Sequence, residues 1–300
     1  MNKYIIFHHN DLDGRAAAAI IYQYLMNNGI PLVKFQELDY KTPINWEEFS
    51  DNTSTFIVDY SFTEKTVEDL DKILKLSKKT VWLDHHKSSA DLAAKYSYAD
   101  ENPSFEYIVD MNRSGALLAL DWAKSKLPNF FNKYNDNWVY MVDDYDRWQH
   151  KNPLSMLFKL GMDCIDQYPT SGFWFELCIN AKAIADIIYR GSIVKEYIDK
   201  QNYNNASKRY ESVIDGHKCL VMNSVTKNSS VFLSDIEDYD CCVVWNYEGG
   251  VYSYSIYSHS NGADCEAIAK KFGGGGHIHA AGFITDELIV KPLKETHSRE

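Results

Sequence analysis

The 300-residue chain has no apolar run long enough to cross a bilayer, no CxxC spacing among its six cysteines, no internal repeat and no low-complexity stretch. It also has no excess of basic residues. Each absence excludes something. Without about 20 consecutive apolar residues no transmembrane helix is expected. Cys164, Cys178, Cys219, Cys241, Cys242 and Cys265 outline no disulfide framework, so they read as reduced, mostly buried thiols of a cytoplasmic protein. The chain opens almost at once on a strand-like segment, so no secretory signal is expected. A net charge of −11, with lysines scattered rather than striped, argues against a grip on long duplex nucleic acid and favours a small phosphorylated substrate.

What is present is a recurring arrangement of apolar runs that end in carboxylates or imidazoles. YIIFHH reads as a strand from about Tyr4 to His8. If the chain stays extended beyond it, His9, Asp11 and Asp13 share one side. Gly14 permits a tight turn, and RAAAAIIYQYL follows as a helix. TFIVDYS is a second strand, ending in Asp59. TEKTVEDLDKILKL has helical spacing, with Thr63 as a cap candidate. KTVWLDHH is a third strand, closing on Asp84, His85 and His86. Strand, helix and strand with short loops imply a parallel sheet whose carboxyl ends share a rim, where open α/β sheets bind ligands.

These ligand types select the ion. Carboxylates with a few imidazoles and no thiolate suit manganese or magnesium better than a structural zinc. Two such cations about 3.5–4 Å apart share a bridging carboxylate, activate water to hydroxide and neutralise a phosphoryl group under in-line attack.

HNDLDG, the single Asp59 after a strand, DHH at Asp84–His86 and DDYDRW together resemble the four N-terminal motifs of the DHH phosphoesterases. That superfamily includes RecJ-type exonucleases, nanoRNA-degrading enzymes, cyclic-dinucleotide phosphodiesterases and manganese pyrophosphatases. FGGGGHIHAAGF (Phe272 to Phe283) is similar to the glycine-rich substrate motif of the DHH-associated C-terminal domain. The resemblance implies two manganese ions, with magnesium as the substitute. One takes His9, Asp11 and Asp59, and the other takes Asp13, Asp59, His85 and Asp144, with Asp59 bridging. Asp144 is chosen over Asp143 because the family places its ligand four residues before an aromatic, here Trp148, and Asp146 is the alternative. His86 faces the phosphate, and Asp84 sits behind the metals to orient the imidazoles. Gly273, Gly274, Gly275 and Gly276 offer backbone N–H groups to a nucleotide, and His277 contacts its phosphate or base. Related chains carry an arginine where this one has Tyr257, so His259, Arg113 or a lysine is left to compensate.

The expected fold class is α/β. A parallel-sheet catalytic domain spans residues 1–190, a linker 191–209, and a smaller α+β substrate-binding domain 210–300. NRSGALLALDWAKSKL reads as a helix capped by Ser114, residues 172–200 as largely helical, and Glu248–Gly250 as a hairpin turn. The expected activity is a manganese-dependent phosphodiesterase cutting short oligonucleotides or linear or cyclic dinucleotides to mononucleotides. The alternatives are a RecJ-like single-strand exonuclease, a small-nucleotide phosphatase and a silent nucleotide-binding protein. No membrane partner is expected, and a homodimer is left open. Single residues have plainer readings. His8 and His279 serve packing, Trp46, Trp138 and Trp245 belong to the core, and Arg113 and Arg147 sit in surface salt bridges as readily as on a phosphate.

Overall fold

The computed structural model describes residues 3–30, 32–39, 42–63, 66–95, 104–225 and 229–293. The chain divides into two units, Met1–Lys195 and Glu196–Glu300.

In the first unit the elements run β1 (Lys3–His9), α1 (Leu12–Asn27), β2 (Val33–Leu38), β3 (Thr53–Val58), α2 (Val67–Leu76), β4 (Thr80–Asp84), α3 (Lys87–Lys95) and β5 (Phe105–Val109). The helices α4 (Gly115–Lys126), α5 (Pro128–Phe131), α6 (Asn137–Asp146), α7 (Ser155–Met162), α8 (Gly172–Ile179) and α9 (Ala181–Asn205) follow. The five strands are all parallel, in the order β2-β1-β3-β4-β5. The chain leaves β1 toward one edge and returns to build β3 on its other side, so the topological switch lies between β1 and β3.

Strand alternation feeds two apolar layers. Ile6, Phe56, Val58, Val81 and Leu83 pack with α1, α4 and the later helices. Ile5, Phe7, Ile57 and Trp82 face the other way, onto Leu70 and Ile73 of α2 and Leu92 of α3. Burial on both faces explains the near-continuous apolar runs that made β3 and β4 readable. Trp82 is fully buried and its Nε1 donates to the Tyr60 carbonyl at 3.0 Å.

The second unit holds β6 (Tyr210–Ile214), β7 (His217–Asn223), β8 (Cys241–Glu248), β9 (Val251–Tyr257), α10 (Cys265–Lys271), β10 (Gly275–His277) and β11 (Ala280–Thr285). Its sheet order is β10-β11-β9-β8-β7-β6, antiparallel except for β7 with β8. The expected hairpin turn is present, with positive φ at Gly249 and Gly250, as a tight two-residue connection requires.

Three expectations change. The helix after β1 starts at Leu12, so Asp13 lies in its first turn and not on an extended strand. The helix after Thr63 is capped at Thr66. The stretch 191–209, expected as a linker, is helical through Asn205, because its inward positions, including Gly191 and Asn202, are buried. Five cysteines are buried and free, and Cys164 is exposed. No helix among the described residues is long and apolar enough to cross a membrane.

Replacing Trp82 with alanine removes a filled core site and a hydrogen-bond donor. We expect a loss of about 3–5 kcal/mol in denaturant unfolding followed by far-UV circular dichroism.

Candidate metal centre

The register of the sheet brings the ligands together. His8 lies opposite Val58, and Val58 opposite Leu83, so the residues just beyond these levels share one rim. His9 closes β1, Asp59 follows β3, and His85 and His86 follow β4. Asp59 adopts a left-handed backbone (φ 52°), which aspartate tolerates better than most residues, and its amide donates to Leu83 O at 2.9 Å.

Two helix N-termini complete the rim. Asp11 caps α1, accepting the Gly14 amide at 2.9 Å through Oδ1 and the His9 Nδ1 at 2.6 Å through Oδ2. Asp13 is buried and accepts the Gly115 and Ala116 amides of α4 at 2.6 and 2.9 Å. Asp143 takes the adjacent Ser114 amide at 2.6 Å. Three free N–H groups of α4 are thus met by two carboxylates, which its dipole also favours. Neither Gly14 nor Gly115 has room for a side chain. A Cβ would lie 2.5 Å from His9 O in the first case and 2.4 Å from the Asp59 Cβ in the second.

Donor atoms of His9, Asp11 and Asp59 gather within 4.8 Å of one another, as do those of Asp13, His85 and Asp146. Asp59, Asp84, His85 and His86 form a third such group. His85 Nε2 lies 3.1 Å from Asp59 Oδ1, 3.5 Å from Asp146 Oδ2 and 3.9 Å from Asp13 Oδ2.

Asp144, the sequence's choice on α6, stands outside these groups. Its carboxylate accepts the amides of Lys151 at 2.8 Å and Asn152 at 3.3 Å, pinning the loop after the helix. Asp143 and Asp146, three residues apart, share the face that looks at the rim, and Asp144 is turned away from it. Asp146, the alternative, takes its place.

The site is starved of positive charge. Both carboxylate oxygens of Asp59 and Oδ2 of Asp146 are buried without a hydrogen bond among the described residues. Burial, and then the neighbouring carboxylates, push Asp59 and Asp146 well above the usual carboxylate range. Burial also raises Asp13 and lowers His85. Burial opposes the ionised form of Asp11 too, but the His9 hydrogen bond and charge outweigh it and hold the group at about 2. Hard oxygen donors on buried carboxylates, met on the protein side by the single imidazole of His85, fit divalent cations.

Behind the rim, Asp84 is fully buried. It accepts His86 Nδ1 at 2.8 Å and the Ser89 hydroxyl. Burial lowers the His86 pKa, yet Asp84 outweighs it and the net shift is upward.

The remaining expectations divide. His8 is buried and donates to His9 O at 2.8 Å, and His279 contacts Ser258 Oγ at 3.1 Å. Arg113 is held by Asp110 at 3.1 Å and Asp121 at 2.9 Å, and Arg147 lies 3.4 Å from Asp143. In the second unit the Gly273 and Gly274 amides close α10, donating to Lys270 O and Ala269 O, and are spent there. Gly274 and Gly276 lie against β11, where a Cβ would come within 2.1 Å of Gly282 O and 2.5 Å of Ala281 Cα, respectively. Gly275 is open, and the side chain of His277 lies outside the described part of the chain.

The aromatic of DDYDRW, used in the sequence only for spacing, has an unusual setting. Trp148, two positions beyond Asp146, is 55% exposed with φ 55°. Its ring meets His150 edge-on at 4.4 Å, and His150 is also left-handed at φ 51°. A bulky side chain in that region is a backbone outlier of the kind that gathers at functional sites.

Residues 3–144 match the family described as DHH family, N-terminal domain. The matched residues lie within the first unit. The bifunctional oligoribonuclease and PAP phosphatase NrnA of Mycoplasma pneumoniae is 23% identical over 208 residues, covering 67% of this chain and 58% of that protein. Among solved structures, RecJ of Thermus thermophilus in complex with Mn2+ aligns at 15% identity with a TM-score of 0.52, over 95% of this chain and 49% of that one. This likeness shows a shared fold.

Metal binding at this centre would depend on pH with a definite sign. Carboxyls raised in the fold favour the metal-free protein at low pH, and that contribution is lost as pH rises through their raised values. A divalent cation must displace those protons. At about 100 times Kd, Mn2+ stabilises by about 2.7 kcal/mol, or about 5–10 °C in Tm for a unit of this size. We expect that gain at pH 7.5 and a much smaller one at pH 5, read by scanning fluorimetry. Equal gains at both pH values contradict the assignment.

Proposed function

We propose that the chain is a manganese-dependent phosphodiesterase that hydrolyses short oligonucleotides or dinucleotides, linear or cyclic, to mononucleotides. The observation that carries this reading is Asp59. Its two buried oxygens lack a hydrogen bond among the described residues, and it shares donor groups with His9 and Asp11 on one side and with His85 on the other, so it would serve both members of a cation pair. Magnesium is the weaker substitute. A cation pair supplies Lewis acidity, activating water and neutralising phosphoryl oxygens.

The chain's own residues do the rest. Asp13, anchored on α4, and Asp84, anchored on Ser89, hold their neighbours still before substrate arrives. His86, with Nδ1 fixed on Asp84, presents its other nitrogen as a donor to a phosphate oxygen. Trp148 offers a stacking surface for a base. The glycine-bearing edge of the second unit, read as a DHH-associated domain, takes the nucleotide in the open space beside Gly275. The printed activity of the Mycoplasma relative, an oligoribonuclease, supports short substrates over long ones. Its second activity, a phosphatase, favours cleavage of a terminal phosphate monoester as the other reading.

Purified protein with Mn2+, offered short RNA, short single-stranded DNA, cyclic dinucleotides and phosphoadenosine phosphate, is expected to release mononucleotides from at least one. Silence on all four overturns the reading. Asp146→Asn is expected to cut activity by on the order of 100-fold or more, with lost metal affinity in a calorimetric titration. Asp144→Asn is expected to keep metal affinity and cost about 1–3 kcal/mol of stability. The reverse ranking restores Asp144 as the ligand.

Trp148→Ala removes a stack worth about 1–3 kcal/mol. KM for a dinucleotide is expected to rise by about 5- to 150-fold with kcat much less affected. Trp148→Phe should recover most of the loss.

A further inference from the structure

α9 has two faces. Ile184, Ile187 and Gly191 lie on one and are buried. A Cβ at Gly191 would come within 1.7 Å of Leu157 O on α7, and one at Gly161 of α7 within 2.0 Å of Ile187 O. That face is fully used. On the opposite face, Asp186, Tyr189, Arg190, Ile193, Glu196, Tyr197 and Lys200 fall within about 60° of Ile193 at helical spacing. All seven are exposed, and Tyr189, Ile193 and Tyr197 are so at 67%, 52% and 64%. They form an apolar stripe at i, i+4 and i+8. None of the four charged residues beside it has an ion pair among the described residues.

The order of these side chains is self-complementary. Counting outward from Ile193, Arg190 and Glu196 stand three residues away on either side, Tyr189 and Tyr197 four, and Asp186 and Lys200 seven. Reversing a second helix against the first about a two-fold axis at Ile193 brings each residue level with its opposite. Asp186 meets Lys200, Ile193 meets itself, Tyr189 and Tyr197 stand at one level, and on the flanks Arg190 lies beside Tyr197 of the second copy. A parallel pairing would set each charge against its own kind, which costs free energy. Balanced acids and bases also give an anionic membrane surface nothing to hold.

We propose that two copies of the chain associate through this face, as antiparallel α9 helices related by a two-fold axis at Ile193. The interface is isologous and closes at the dimer. A single pair of helices of this length buries less than a standard interface, so the dimer depends on concentration.

Sedimentation equilibrium of the full chain, over a wide concentration series, tests this. Wild type is expected to pass from monomer to dimer. Ile193→Asp should weaken association by about 10-fold or more, with the far-UV spectrum unchanged. Asp186→Lys and Lys200→Asp should each weaken it, and the double variant Asp186→Lys/Lys200→Asp should recover affinity toward wild type. A wild type that stays monomeric throughout overturns the proposal. So does a dimer indifferent to Ile193→Asp, or a double variant no tighter than the singles.

Discussion

A buried carboxylate met on the protein side by one imidazole, His85 at 3.1 Å, organises this molecule. Asp59 is 1% exposed, and neither of its oxygens accepts a hydrogen bond among the described residues. Burying such a group uncompensated costs several kcal/mol, so the surrounding architecture has to be held in place by other means. The sheet does so from below, through the shared level of β1, β3 and β4. α4 does so from the side, where its first amides grip Asp13 and Asp143. Gly14 and Gly115 let backbone come as near as those grips require. The result is a cluster of carboxylates drawn together against their own repulsion, which a divalent cation would relieve.

The parts of this arrangement that were readable in the chain were those with a local signature. β1, β3 and β4 are apolar runs buried on both faces and closed by polar side chains, so strand and ligand announce each other. β2 and β5 lie at the sheet's edges, where VKFQEL and FEYIV mix exposed and buried positions, and no run stood out. β6 escaped notice although Asp215 and Gly216, both at positive φ, form a tight turn of the favoured kind. On α6 the spacing to an aromatic picked Asp144. What decides among the three aspartates is which helix face meets the amino end of α4, and that is a tertiary fact. Trp148 served in the sequence only to place a ligand by spacing, because its exposure and backbone strain appear only in three dimensions.

The glycine run of the second unit shows a different limit. Glycines invite a reading as a cradle for phosphate. Here two of the four amides finish a helix, and two of the four α-carbons make way for a neighbouring strand. Close packing and the helix end account for most of the motif, and open space is left at Gly273, where φ is positive, and at Gly275.

The loop that follows α6 is fastened at Lys151 and Asn152 by the Asp144 carboxylate. Between helix and fastening lie Trp148 and His150, each left-handed and leaning on the other. Such a segment has little freedom to surrender when a ligand arrives. Docking of a flat ring here would therefore carry only a small entropic penalty, and discrimination between ligands would fall to shape that already exists.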